Sequence, residues 1–218
     1  MDNQQEIATP TPERTEDKQN SINQKKSLFM RLFFSGAIST ETKPSKKIAY
    51  IAVMSAFLAV ANMFEFKLAD QQFSFTIASS ALAGVVLGGA FGCLASFLGD
   101  LVGFLYNSSG FAYMPWVGIS VAVIALISGV IIGGINLRFK GGLLVKILIV
   151  AISTFFVCTV GINTTAFWAL YSKGVPYFTY AFTRIVVRGQ IYNSIANYAL
   201  LFIIIPLISK LNILKFNY

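Results

Sequence analysis

Arg184 and Arg188 stand four residues apart, with no acidic residue near them in the chain. That spacing puts both on one face of a helix, and two unneutralised guanidiniums suit an anionic group such as a carboxylate. Lipid phosphate is an equal competitor for them. Aromatic residues gather near the ends of apolar runs: Phe73, Phe75, Phe111, Tyr113, Trp116, Trp168, Tyr171, Tyr177, Phe178 and Tyr180. Rings in such places form either an interfacial belt or a pocket that stacks a flat ligand, with Asn107, Gln190 and Asn193 as hydrogen-bond partners. Asp100 is a lone carboxylate inside an apolar run. It must be paired, protonated or turned to a polar cavity. No base lies at helical spacing to relay its proton, which favours a structural hydrogen-bonded link between helices over a substrate contact or a proton site.

Other chemistry is excluded by what the chain lacks. It has no His, and its two Cys, Cys93 and Cys158, lie in apolar runs. Zinc, copper and di-iron sites are therefore not expected, nor is a disulfide scaffold. No GxxxxGK[ST] loop, HExxH or paired-carboxylate pattern occurs, so no catalytic residue, metal or cofactor is expected and the chain does not read as an enzyme. The basic residues are scattered singly rather than gathered on one face, which argues against nucleic acid.

The elements that must position these residues are membrane helices. Of 218 residues, 56% are hydrophobic and 12% charged, against about 25% charged in an average soluble domain. After residue 47 only Glu65, Asp70 and Asp100 are acidic. A crossing needs about 20 apolar residues, and the runs predict an all-α integral membrane protein with six transmembrane helices. The first covers about 48–64, and a second and third share the run 73–106. The fourth covers about 116–135, the fifth ends near 170, and the sixth covers about 191–208. A polar and aromatic connection is expected over 172–188. Residues 1–45 form a polar cytoplasmic tail, expected to be disordered over 1–24, with a short amphipathic helix or a linker over 25–35. Residues 46–218 form the membrane domain. No apolar core of signal-peptide length lies near Met1.

Lysine and arginine positions set the orientation. With both termini in the cytoplasm, Lys43, Lys46, Lys47, Arg138, Lys140, Lys146, Lys210 and Lys215 lie inside, and Lys67, Lys173, Arg184 and Arg188 outside. Gly84, Gly88 and Gly92 recur every fourth residue, followed by Gly99 and Gly103. Small residues at that interval let helix backbones approach, and Gly88, Gly89 and Gly92 are the expected reversal between the second and third helices. Ala49, Ala52, Ala56 and Ala59 give the first helix a small-residue stripe, for internal packing or for docking another membrane protein.

The run Ala81-Leu82-Ala83-Gly84-Val85-Val86-Leu87-Gly88-Gly89-Ala90-Phe91-Gly92, leading to Leu98-Gly99-Asp100-Leu101-Val102-Gly103, resembles the substrate-binding S components of energy-coupling factor (ECF) vitamin transporters, in particular the folate family. Asn163-Thr164, Trp168, Tyr171, Gly174, Pro176 and Arg184-Ile185 agree with it in order and spacing, and the similarity spans 47–210. The resemblance implies a multi-pass subunit of a bacterial cell membrane, taking up folate or a related micronutrient. Its partners would be a transmembrane coupling protein and two ATPases. It also implies that Ala52 and Ala56, as an AxxxA pattern, contact the coupling protein. Ligand would lie on the outer side among loops 65–75, 107–116 and 171–188. Gln72-Phe73-Ser74-Phe75 and Met114-Pro115-Trp116-Val117-Gly118 depart from the folate pattern where ligand should bind. A different vitamin, a nucleobase-like ligand or a structural membrane protein without a ligand are the alternatives.

Overall fold

The protein is described by a computed structural model over residues 33–34, 43–68, 71–106, 112–135, 137 and 141–210. Of the expected polar tail, 1–45, only 33–34 and 43–45 are described, Pro44 and Ser45 opening the first helix; the rest, with nearly all of the expected surface helix over 25–35, lies outside the described residues. Phe34 meets the Phe91 ring edge-on at 5.2 Å.

Five helices among the described residues are long and apolar enough to cross a membrane. They are α1 (Pro44–Met63), α3 (Gly89–Tyr106), α4 (Pro115–Gly134), α5 (Gly142–Tyr171) and α7 (Gln190–Lys210), whose apolar span is Gln190–Ser209. Proline sits in the first turn of α1 and of α4, where its missing N–H would have had no helical partner anyway. The 73–106 run divides unequally. Its first part is α2 (Thr76–Leu87), 12 residues long and about 18 Å at 1.5 Å per residue, short of a full crossing. Nine of its residues are buried, so α2 is the central helix of the bundle. The reversal falls at Gly88, whose φ of 84° belongs to the left-handed side that glycine alone enters without strain.

Two further elements precede α2 and α7: a hairpin that was not expected, and a helix that carries Arg184 as expected but begins earlier, inside the connection. An antiparallel hairpin, β1 (Glu65–Leu68) and β2 (Gln71–Ser74), follows α1 in the register Glu65↔Ser74 to Leu68↔Gln71. Within the connection 172–188 lies α6, helical over Tyr177–Phe182 and continuing as a wider π-helical turn over Thr183–Val187. The same widening occurs over Gly129–Gly134 and Phe155–Thr164. In the latter, the Thr164 hydroxyl donates to the Thr159 carbonyl five residues back, at 2.8 Å.

Lys146, expected to mark a turn, lies inside α5 and is 3% exposed. Its ammonium donates to the Ile132 carbonyl at 3.2 Å, in the widened last turns of α4.

The main core joins α2, α4, α5 and α7 through Ile77, Val85, Ile124, Ile132, Ile147, Val150, Leu201 and Ile205. A smaller one joins α1, α2 and α3 through Leu58, Ala83, Leu87 and Ala95. Glycine sets the approach of the helices. A side chain at Gly84 would run into the backbone carbonyl of Ala125 on α4. One at Gly99 would meet Leu58 Cβ at 2.5 Å and the Ser55 carbonyl at 2.9 Å, both on α1. Outward, the helices show Phe156, Ile195, Ile203 and Leu207 more than half exposed, the surface that lipid covers.

Candidate functional site

Three polar clusters lie at the end of the bundle that carries the hairpin. The first surrounds Asp100, which is 8% exposed. Its carboxylate accepts from the Asn62 amide at 3.3 Å and the Tyr113 hydroxyl at 3.1 Å, while Thr76 donates to Asn62 Oδ1 at 2.7 Å. Side chains from α1, α2, α3 and the segment before α4 are thereby tied together. Burial and the Asp100 carboxylate push the Tyr113 hydroxyl up to about 12, so it stays protonated and remains a donor. Gly118 makes room for it: a Cβ there would collide with the Tyr113 hydroxyl and lie 3.1 Å from Asp100 Oδ2.

The second cluster holds the hairpin. Asn193 Oδ1 accepts from the Ser74 backbone N–H at 3.1 Å, and Asn197 Nδ2 donates to the Ser74 carbonyl at 2.7 Å. Asn197 Oδ1 also accepts from the Ala78 N–H at 2.9 Å, in the first turn of α2, one of the helix donors that lacks an internal partner. Asn193 is thus committed to the backbone.

The third cluster joins α4, α5 and α6. Asn163, Phe167 and Tyr171 recur every fourth residue along one face of α5. The Phe167 ring lies 5.8 Å from Trp116, perpendicular to it, and 6.0 Å from Tyr171. The Arg184 guanidinium sits over the same ring at 4.1 Å from its centre, a cation–π contact. Asn163 donates to the Ser120 hydroxyl at 3.0 Å. Three polar atoms here are buried without a hydrogen-bond partner: Trp116 Nε1, Asn163 Oδ1 and Arg184 Nε. Each such atom costs about 1–3 kcal/mol when left unpaired, so three in one cluster make this the candidate site among the described residues.

The expected site residues divide accordingly. Trp116, Tyr171 and Arg184 come together around Phe167. Trp168 instead ties down the loop after α5, its indole donating to the Val175 carbonyl at 2.7 Å and its ring meeting Tyr177 at 5.5 Å. Tyr113 belongs to the Asp100 cluster, and Phe73 is paired with Phe66 in the hairpin. Phe75 is 40% exposed just before α2. Arg188 is exposed at the end of α6, away from the ring that holds Arg184. Asn107 lies outside the described residues. Asn163 and Phe167 were not expected as site residues; their four-residue spacing with Tyr171 is the signal that could have found them.

The chain is thus a bundle of membrane helices with an unsatisfied polar and aromatic cluster at one end. Residues 43–213 match the family described as ECF-type riboflavin transporter, S component, and the chain belongs to that family. It is a multi-pass cell-membrane protein and the substrate-binding subunit of an ECF transporter for a vitamin, in a family of transporter subunits rather than enzymes. The family implies association with the ATPases of an ECF module. The resemblance to ECF S components holds, while the matching family is the riboflavin one, not the folate one. No curated protein matches the chain.

Proposed function

We propose that this subunit binds riboflavin, with the isoalloxazine ring among Trp116, Asn163, Phe167 and Arg184. The observation that carries this is the set of three unpartnered atoms: two donors, Trp116 Nε1–H and Arg184 Nε–H, and one acceptor, Asn163 Oδ1. The dioxopyrimidine edge of a flavin presents the complement, two carbonyl acceptors and one imide N–H donor. The 2-amino-4-oxopterin edge of folate presents the reverse, two donors and one carbonyl. A binding site rejects a ligand that leaves its buried polar groups unpaired. The family's riboflavin description supports the same choice.

The hairpin end faces outward in this reading, as the distribution of Lys and Arg favours. Ala52 and Ala56 are exposed on α1 beside Val53 and Phe57, which are 69% and 48% exposed. They are proposed as the surface that meets the coupling protein, which carries the subunit with energy from the two ATPases. The test is quenching of riboflavin fluorescence by the purified protein, with folate as competitor. Saturable quenching that a hundredfold excess of folate leaves in place is expected. Displacement by folate, or no quenching, overturns the assignment.

A further inference from the structure

Helix α6 has two faces. Inward, Tyr177 packs on Trp168, Ala181 is buried, and Arg184 covers Phe167. Outward, Phe178, Phe182 and Val186 recur every fourth residue, 85%, 63% and 38% exposed. A stripe of large apolar side chains that no other described residue covers calls for an apolar environment.

The depth of α6 identifies that environment. The Tyr177 hydroxyl donates to the Val160 carbonyl at 3.3 Å and lies 3.3 Å from the Thr165 hydroxyl. Val160 is eleven residues before the end of α5 at Tyr171, about 16 Å back along the helix axis. The five-residue loop after Tyr171 therefore folds back, and α6 lies beside the outer part of α5 rather than above it. The Phe167 ring on α5 meets Trp116, the second residue of α4, and the 20 residues of α4, about 30 Å at the α-helical rise, match a hydrocarbon layer of about 30 Å. Val160 lies seven residues further in than Phe167, so the α5 segment that α6 flanks reaches into that layer. Outward stripes continue on both neighbours, through Leu170 and Tyr171 on α5 and Tyr192 and Ile195 on α7, each more than half exposed.

We infer that the Phe178, Phe182 and Val186 face of α6 is seated in the outer leaflet, among lipid acyl chains, so that α6 is a flap held over the binding cluster by the membrane. An amphipathic helix of this kind is retained at the boundary of headgroups and chains by its apolar face. Opening the site on this side must move Arg184 off Phe167 and drag the stripe through lipid. The lipid contact would hold whatever ligand the cluster takes; its effect on release rests on the riboflavin reading.

Two measurements test it separately. Native protein in phosphatidylcholine and phosphatidylglycerol vesicles is photolabelled with a phospholipid that carries a diazirine on its acyl chain, and the labelled residues are mapped by mass spectrometry. Label on Phe178 and Phe182, and none on Ala181, is expected. Label on Phe156 and Ile195 with none in 177–187 overturns the inference, as does modification of Phe178 by a water-soluble diazirine. This readout needs no ligand, so it stands or fails independently of riboflavin. In the second, Phe178→Ser with Phe182→Ser speeds release of bound riboflavin about tenfold in vesicles, with no such change in detergent micelles. Equal release rates for variant and native protein in vesicles refute the flap.

Discussion

The cluster around Asp100 and the cluster around Phe167 lie at the same end of the bundle and use similar residue types, yet they are finished differently. At Asp100 both carboxylate oxygens have donors, and the donor Asn62 is itself held by Thr76. At Phe167 an indole N–H, an amide oxygen and a guanidinium N–H end against nothing. A buried polar group costs more left alone than it returns when paired, so the saturated cluster ties helices together, and in the proposed reading the unsaturated one takes the ligand. On that reading Asp100 belongs to the scaffold and Asn163 to the site, although an acid in a membrane helix is the more conspicuous of the two.

Substitutions can break that contrast, and the largest effect belongs to the scaffold. Gly99→Leu puts a side chain where Leu58 and the Ser55 carbonyl already stand. Backbone cannot yield as a side chain can, and a cost of about 3 kcal/mol or more is expected, seen as loss of the monodisperse peak in size-exclusion chromatography. Asn163→Leu removes the orphan acceptor and should weaken riboflavin binding by about 10–100-fold, about 1.4–2.8 kcal/mol, with the melting temperature within about 2 °C of native. Equal binding would remove Asn163 from the site. Asp100→Leu should do the converse, lowering stability by about 1–2 kcal/mol as Asn62 and Tyr113 lose their acceptor. Its riboflavin affinity should stay within about threefold; a collapse of affinity in a variant that still melts cooperatively would merge the two clusters. Arg188→Ala should have the smallest effect, below about twofold on affinity, whereas Arg184→Ala should cost about tenfold. A reversal of that order would move the cation of the site by one helical turn.

The membrane helices were legible because apolar runs and their interruptions are read residue by residue: Pro44, the glycines at 88 and 89, Pro115 and the charges at 138 and 140 bound the helices to within a few residues. The central place of α2 was not legible, because a buried core helix and a crossing helix are equally apolar. Lys146 misled for the opposite reason. A lysine reads as a boundary, but here the widened end of α4 leaves the Ile132 carbonyl able to receive it inside the bundle. Within the site, the types of Trp116, Tyr171 and Arg184 drew attention to them. Asn163 and Phe167 were hidden among apolar neighbours, and their significance depends on α4 and α6 arriving beside α5. Arg184 and Arg188, four residues apart, have separate fates because Arg188 is the residue at which the helical segment Thr183–Val187 ends, so helical spacing no longer carries its side chain.

The asparagines of α7 bear on how the chain matures. Asn193 and Asn197 bond backbone 119 and 123 residues earlier, so the hairpin after α1 is fastened by a helix synthesised more than 100 residues later. Until α7 inserts, Ser74 and the start of α2 lack the partners that fasten the hairpin. A nascent chain that stops before residue 193 therefore carries Trp116, Phe167 and Tyr171 on a frame whose hairpin is not yet fastened.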